Sequence, residues 1–200
     1  MIHANDRFSD AVAAKVGQLE TTTDAEVVVV AAERSGSYRD VAQSIAALAA
    51  LLVLVVLFAL PWPVHPVLAV IDMIVVWFVV TWLAEGYPLT ASLASRSRRL
   101  GQVRRAAAAE FHLEAVHATP HRTGLLVYVS AWEGQVELIP DVGLEARIPR
   151  GRWAEVMGEL STQDLDRFLA GLDAVGKVLT QHVPATGERQ LRLDDAPRIR

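Results

Sequence analysis

Cysteine is missing from all 200 residues. That excludes disulfides, thiol catalysis and cysteine-ligated metal, while leaving the compartment undecided. Lysine is almost missing as well: Lys15 and Lys177 stand alone, and every other basic side chain is arginine. There is no basic excess, since the formal net charge is −4, so nothing points to a nucleic-acid partner. The first forty residues are polar overall and hold no apolar stretch of the signal-peptide kind, so no secretory signal is expected. No phosphate-binding Walker loop, dinucleotide fingerprint or nucleophile elbow occurs. Internal repeats are absent too.

What the chain has in quantity is apolar length. Residues 41–60 are interrupted only by Gln43 and Ser44, and residues 67–84 carry a single charge, Asp72. At about 1.5 Å of rise per residue these segments span roughly 30 and 27 Å, close to a bilayer's hydrocarbon thickness. Between them lies Pro61-Trp62-Pro63-Val64-His65-Pro66, where proline stops one helix and opens the next. The expectation is a transmembrane helical hairpin over 41–84. The competing reading, a buried helical pair in a soluble core, fits poorly because neither segment has a polar face.

The flanks set an orientation. No Lys or Arg lies in the turn, whereas Arg34 and Arg39 precede the first helix and Arg96, Arg98, Arg99, Arg104 and Arg105 follow the second. The positive-inside rule then places both termini in the cytoplasm. Trp62, Trp82 and Tyr87 fall near the two interfaces, where amphipathic rings are favoured.

Outside the hairpin the periodicity changes. Phe8, Val12, Val16 and Leu19 share one face of a helix over 5–19, with Asn5 or Asp6 as its cap. Residues 25–32 form a β-branched run that predicts a strand buried on both faces. A polar connector is expected over 85–101. A helix should follow from Leu100 or Gln102 to about Ala118, with Val103, Ala107, Phe111, Ala115 and Ala118 on one face and Pro120 as its stop. Residues 124–131 and 136–139 read as strands joined by the turn at 132–135. Residues 140–148 are expected to be irregular, 152–160 and 164–182 helical, and 185–200 a flexible tail.

Neither flank holds enough apolar residues to fold alone. A hairpin returns the chain close to its point of departure, because packed helices lie about 8–10 Å apart. Residues 1–40 and 102–184 are therefore expected to form one split α/β domain around a small mixed sheet. Its first two strands should be parallel and its third antiparallel.

The pieces Ala108-Ala109-Glu110-Phe111-His112, Thr119 to Ser130, Val136-Glu137-Leu138-Ile139-Pro140-Asp141-Val142-Gly143-Leu144, Trp153 and Leu172 to Leu179 resemble bacterial TPM-domain proteins. Thr23 to Val30 is similar to that family's first strand. The resemblance implies an α/β sandwich, and the hairpin with its arginine flanks adds the expectation of a bacterial inner membrane. Relatives are described as acid phosphatases, calcium binders or assembly factors of membrane complexes.

Chemistry-bearing candidates are few. Arg122 and Thr123 precede the second strand and Asp141 follows the third, so an antiparallel pair brings them to one end of the sheet, with Glu145 nearby. Asp141 and Glu145 could ligate Ca2+ or Mg2+ while Arg122 held a phosphate. The plainer alternative is an aspartate that fixes a turn and an arginine that pairs with it. Two carboxylates fall short of the six or more oxygens that calcium takes. His112, His117 and His121 are close in sequence, but Pro120 spoils their helical spacing for zinc. Ser35-Gly36-Ser37 could offer amides to an anion or simply form a joint. Asp72, about 9 Å into its helix, is either a contact with partner helices or a second copy, or is carried at no functional gain by snorkelling, protonation or pairing with His65. The arginines at 96–105 either touch anionic headgroups or only fix topology. The sequence thus predicts a membrane-held binding or assembly module, with no cofactor. The rival is a membrane-bound, divalent-cation phosphohydrolase centred on Asp141 and Arg122.

Overall fold

A computed structural model describes residues 5–61, 64–119, 121–187 and 195–200. Trp62, Pro63 and Pro120, to which the sequence reading gives roles, lie outside the described residues. The chain order is α1 (Asp6–Glu20), β1 (Glu26–Ala32), α2 (Arg39–Ala59), α3 (Pro66–Glu85), α4 (Leu89–Leu93), α5 (Arg96–Leu113), a 3-10 turn (Val116–Ala118), β2 (Gly124–Ser130), β3 (Gln135–Pro140), α6 (Val142–Arg147), α7 (Arg150–Glu159), α8 (Leu165–His182) and β4 (Arg198–Ile199). These elements form two compact units. One joins residues 1–35 to residues 100–200, and the other is residues 36–99.

The first unit is built on a four-stranded mixed sheet in the order β3-β2-β1-β4. β1 runs parallel to β2, with Val27 opposite Leu125 and Val29 opposite Val127. β2 and β3 are antiparallel, with Val127 opposite Leu138. Every residue of β1 and β2 is buried, which is what a continuous β-branched run requires. Successive side chains point to opposite faces, so each strand feeds two cores. Val27, Val29, Leu125 and Val127 pack with Phe8, Val12 and Val16 of α1, Trp153 and Val156 of α7, and Phe168, Leu172 and Val175 of α8. Val28, Val30, Leu126 and Tyr128 pack with Val103, Ala107 and Phe111 of α5. Each buried Val, Leu or Phe among them contributes about 1.5–3 kcal/mol.

Local chemistry places the helix ends. Asn5 caps α1 by accepting from the Phe8 amide at 2.9 Å, and Asp164 caps α8 by accepting from the Arg167 amide at 2.8 Å. α5 begins earlier than expected, at Arg96, and stops earlier, at Leu113. Ala115 then takes a left-handed conformation with φ of 52°, and a 3-10 turn follows. Residues 140–148 are not irregular: Asp141 caps α6, its carboxylate accepting from the Val142 amide at 2.8 Å.

The tail expected to be flexible over 185–200 ends instead as a strand. β4 lies parallel to β1, the Arg200 amide donates to the Ala31 carbonyl at 2.9 Å, and the Glu33 amide donates to Arg200 at 3.0 Å. Arg198 and Arg200 pair with Glu114, just past the end of α5, at 2.9 and 2.6 Å. The open edge of β1 supplies the partner groups that a polar tail cannot supply itself.

In the second unit, α2 and α3 pack against each other as an antiparallel pair. Their contact uses small residues: Ala42, Ala46 and Ala50 on α2, with Ala69 and Thr81 on α3, are the buried positions. Pro66 opens α3 at a position where its missing amide hydrogen costs nothing, and His65 accepts from the Val67 amide through Nδ1 at 3.3 Å. The large side chains face outward, among them Leu52 at 64% exposure and Phe78 at 62%. Mean hydropathy over the most apolar 18 residues of each helix is 2.7 and 2.5, and both helices are long and apolar enough to cross a membrane. At the base of the pair, Arg98 clamps Asp40 through two bonds of 2.5 and 2.7 Å, donates to the Ser37 carbonyl at 3.1 Å and lies over the Tyr38 ring. Arg39 faces Glu85 at 3.2 Å.

Candidate functional site

The antiparallel β2–β3 pair brings Arg122 and Asp141 to one end of the sheet. Arg122 donates from Nε to Oδ2 at 2.7 Å and from its terminal nitrogen to Oδ1 at 2.8 Å. This fork-to-carboxylate geometry is the strong form of the pair. Asp141 is buried, while half of the Arg122 side chain stays exposed. The carboxylate holds the Arg122 guanidinium above its ordinary pKa, chiefly through these hydrogen bonds. Arg122 also adopts a left-handed backbone, φ 56°, which turns its carbonyl onto the Gly143 amide at 2.9 Å. A Cβ at Gly143 would lie 2.4 Å from the His121 carbonyl oxygen, so only glycine lets α6 approach this closely.

Thr123 and Glu145 do not join that pair. Thr123 is buried, its hydroxyl donating to the Asp24 carbonyl at 3.0 Å and its amide to Thr119 Oγ1 at 2.9 Å. Glu145 is exposed, and its side chain has no bonding partner among the described residues. Both Asp141 oxygens are already engaged, so the corner offers a hard cation too few free ligands. Its arrangement is that of a structural clamp joining the start of β2 to the start of α6.

At the other end of the sheet lies a network with no counterpart in the sequence reading. Glu133, buried in the β2–β3 turn, accepts from the Ser130 hydroxyl and, at 3.2 Å, from the Ser35 amide. The Ser35 hydroxyl donates to Ser130 Oγ at 2.6 Å and lies 3.0 Å from the Tyr128 hydroxyl. Burial pushes the Tyr128 phenol above its usual range. Ser35 was a candidate anion cradle with Gly36 and Ser37. Its amide instead meets the chain's own carboxylate.

Glu20 is a second missed group. It is 6% exposed, with Oε1 accepting from the Val27 amide at 3.0 Å and Oε2 unpartnered among the described residues. Burial first, then the nearby Glu26 and Asp195, push its carboxyl up to about 8, against the pull of the Val27 bond. The spacing held the signal: Phe8, Val12, Val16 and Glu20 fall four apart, so this carboxyl sits on the apolar stripe. A polar groove of 410 Å³ runs beside the outer edge of β3, between Gln135–Glu137 and Ser161–Gln163. Arg104 and Glu137 line it, 3.3 Å apart.

The histidines do not assemble a metal centre. His112 and His117 stand with ring centroids 5.3 Å apart beside Phe111, and no group of three or more His, Asp or Glu able to hold a metal occurs among the described residues. Asp72 is exposed on α3 and makes no hydrogen bond or ion pair among the described residues. Its proposed partner His65 spends Nδ1 on capping α3.

No family model and no curated protein matches the sequence. A solved structure does share the fold: the NMR structure of BA42 protein from the psychrophilic bacteria Bizionia argentinensis sp. nov.. It is similar to this chain with a TM-score of 0.57 over 98% of this chain and 94% of that one, at 11% identity. At that identity the likeness speaks for the fold alone.

Proposed function

We propose that this chain is a membrane-anchored, TPM-like domain that acts as a binding or assembly module at the inner face of a bacterial cytoplasmic membrane. The observation that carries the reading is the pair of long helices whose apolar side chains point outward: only 17% and 11% of their most apolar windows are buried. A turn without Lys or Arg joins them and arginines stand on both flanks, so both termini face the cytoplasm. Lipid is then the first partner, and a membrane protein or a second copy the next. The TPM assignment rests on the sequence resemblance.

The phosphohydrolase alternative has less support. Asp141 has both oxygens engaged by Arg122 and the Val142 amide, so it has little left to offer a cation, and one edge of the Arg122 guanidinium is committed to it. The test is purification of the full chain from its native membranes in mild detergent, with identification of bound proteins and a phosphoester assay with and without Mg2+ or Ca2+. Stoichiometric membrane-protein partners and no turnover support the module. Turnover abolished by Asp141→Ala in a folded protein overturns it.

A further inference from the structure

The α2–α3 contact is complete without Asp72. Its buried positions are the small residues Ala42, Ala46, Ala50, Ala69 and Thr81, while Asp72 faces outward. Leu68, Val75 and Val79, also exposed, stand at i−4, i+3 and i+7 from it, so the carboxylate sits within one continuous helical stripe. Such a stripe is the seam on which one helix receives another, and a single polar group in a seam selects the partner.

Charge decides which partner fits. Between Arg39 and Arg96 the chain has no lysine or arginine, and its one histidine, His65, lies at the start of α3 with Nδ1 already used. A second copy aligned on this stripe would bring another carboxylate to the same depth, and like charges oppose each other there. We infer that the Leu68–Asp72–Val75–Val79 face receives a transmembrane helix of a different protein, one carrying a lysine or arginine level with Asp72. This deepens the assembly-module reading and rests on it.

The test places a photo-crosslinking residue at Val75 in the full chain, in native membranes, and maps each adduct to its peptide. The expected result is an adduct with an apolar helix of another protein that holds a lysine or arginine. That adduct should fall about tenfold in Asp72→Leu. It should return when Asp72→Lys is combined with an aspartate at the partner's basic position. Adducts only with lipid, adducts with a second copy, or a heterologous adduct indifferent to Asp72→Leu would each overturn the inference. Alkaline carbonate extraction separates the two readings. A chain stripped from the membrane sinks both, whereas a retained chain lacking the adduct sinks only this one.

Discussion

The sheet unit and the helical pair are both rich in apolar residues, yet they use them in opposite ways. In β1 and β2 all seven residues of each strand are buried, and the helices around them turn their apolar stripes inward. In α2 and α3 the small residues are inside and the large ones outside. The first arrangement uses water as the opposing solvent and is held by the hydrophobic effect. The second leaves its large side chains uncovered, as the proposed passage through lipid requires, and its small residues let two backbones approach. Apolar content alone therefore does not define a core; which side chains are turned away does.

That contrast can be broken by paired truncations. Phe168→Ala, in the sheet unit, should lower stability by about 3–5 kcal/mol in denaturant unfolding of the detergent-solubilised chain. Leu52→Ala, 64% exposed on α2, should change it by less than about 0.5 kcal/mol. Equal effects would mean that α2 is part of an ordinary core.

Asp141→Ala should cost about 2–3 kcal/mol by the same measurement. It removes the α6 cap and the clamp, but the released Arg122 is half exposed and can reach water. A variant of unchanged stability, with lost binding, would turn this corner from a clamp into a site.

Glu20 supplies a pH dependence. Its carboxyl is raised in the fold to about 8, so the folded chain holds a proton that the unfolded chain releases near the ordinary carboxyl range. Its contribution to stability is fully present below that range and is lost as pH rises towards and through about 8. Melting temperature should therefore fall between about pH 5 and pH 8, and Glu20→Gln should flatten that slope. The smallest effect is expected at Lys15–Asp173, where Lys15→Ala should cost no more than about 1 kcal/mol because the pair is partly solvated.

How much of this could be read from the residues depended on range. α1, β1, β2, β3, α7 and α8 announce themselves by period; the split domain was expected over 1–40 and 102–184, and the compact unit joins 1–35 to 100–200. β4 carries no such signal: two residues in a polar tail become a strand only because β1 leaves an edge and Glu114 offers charge. The left-handed turn at Ala115 was equally hidden, since alanine is a strong helix former. Of the candidate site, the Arg122–Asp141 meeting was legible from hairpin geometry. Thr123 was drawn elsewhere by the Asp24 carbonyl, and the Glu133 network depends on a contact across nearly a hundred residues.

Because the chain has no cysteine, single substitutions report position cleanly. Labelling Asp10→Cys, Val64→Cys and Glu159→Cys with a membrane-impermeant maleimide shows whether the helical pair crosses the membrane and returns the chain to the same side. Val64→Cys should react in intact cells from outside, whereas Asp10→Cys and Glu159→Cys should react only after permeabilisation. Labelling of Asp10→Cys and Glu159→Cys from opposite sides would contradict that return.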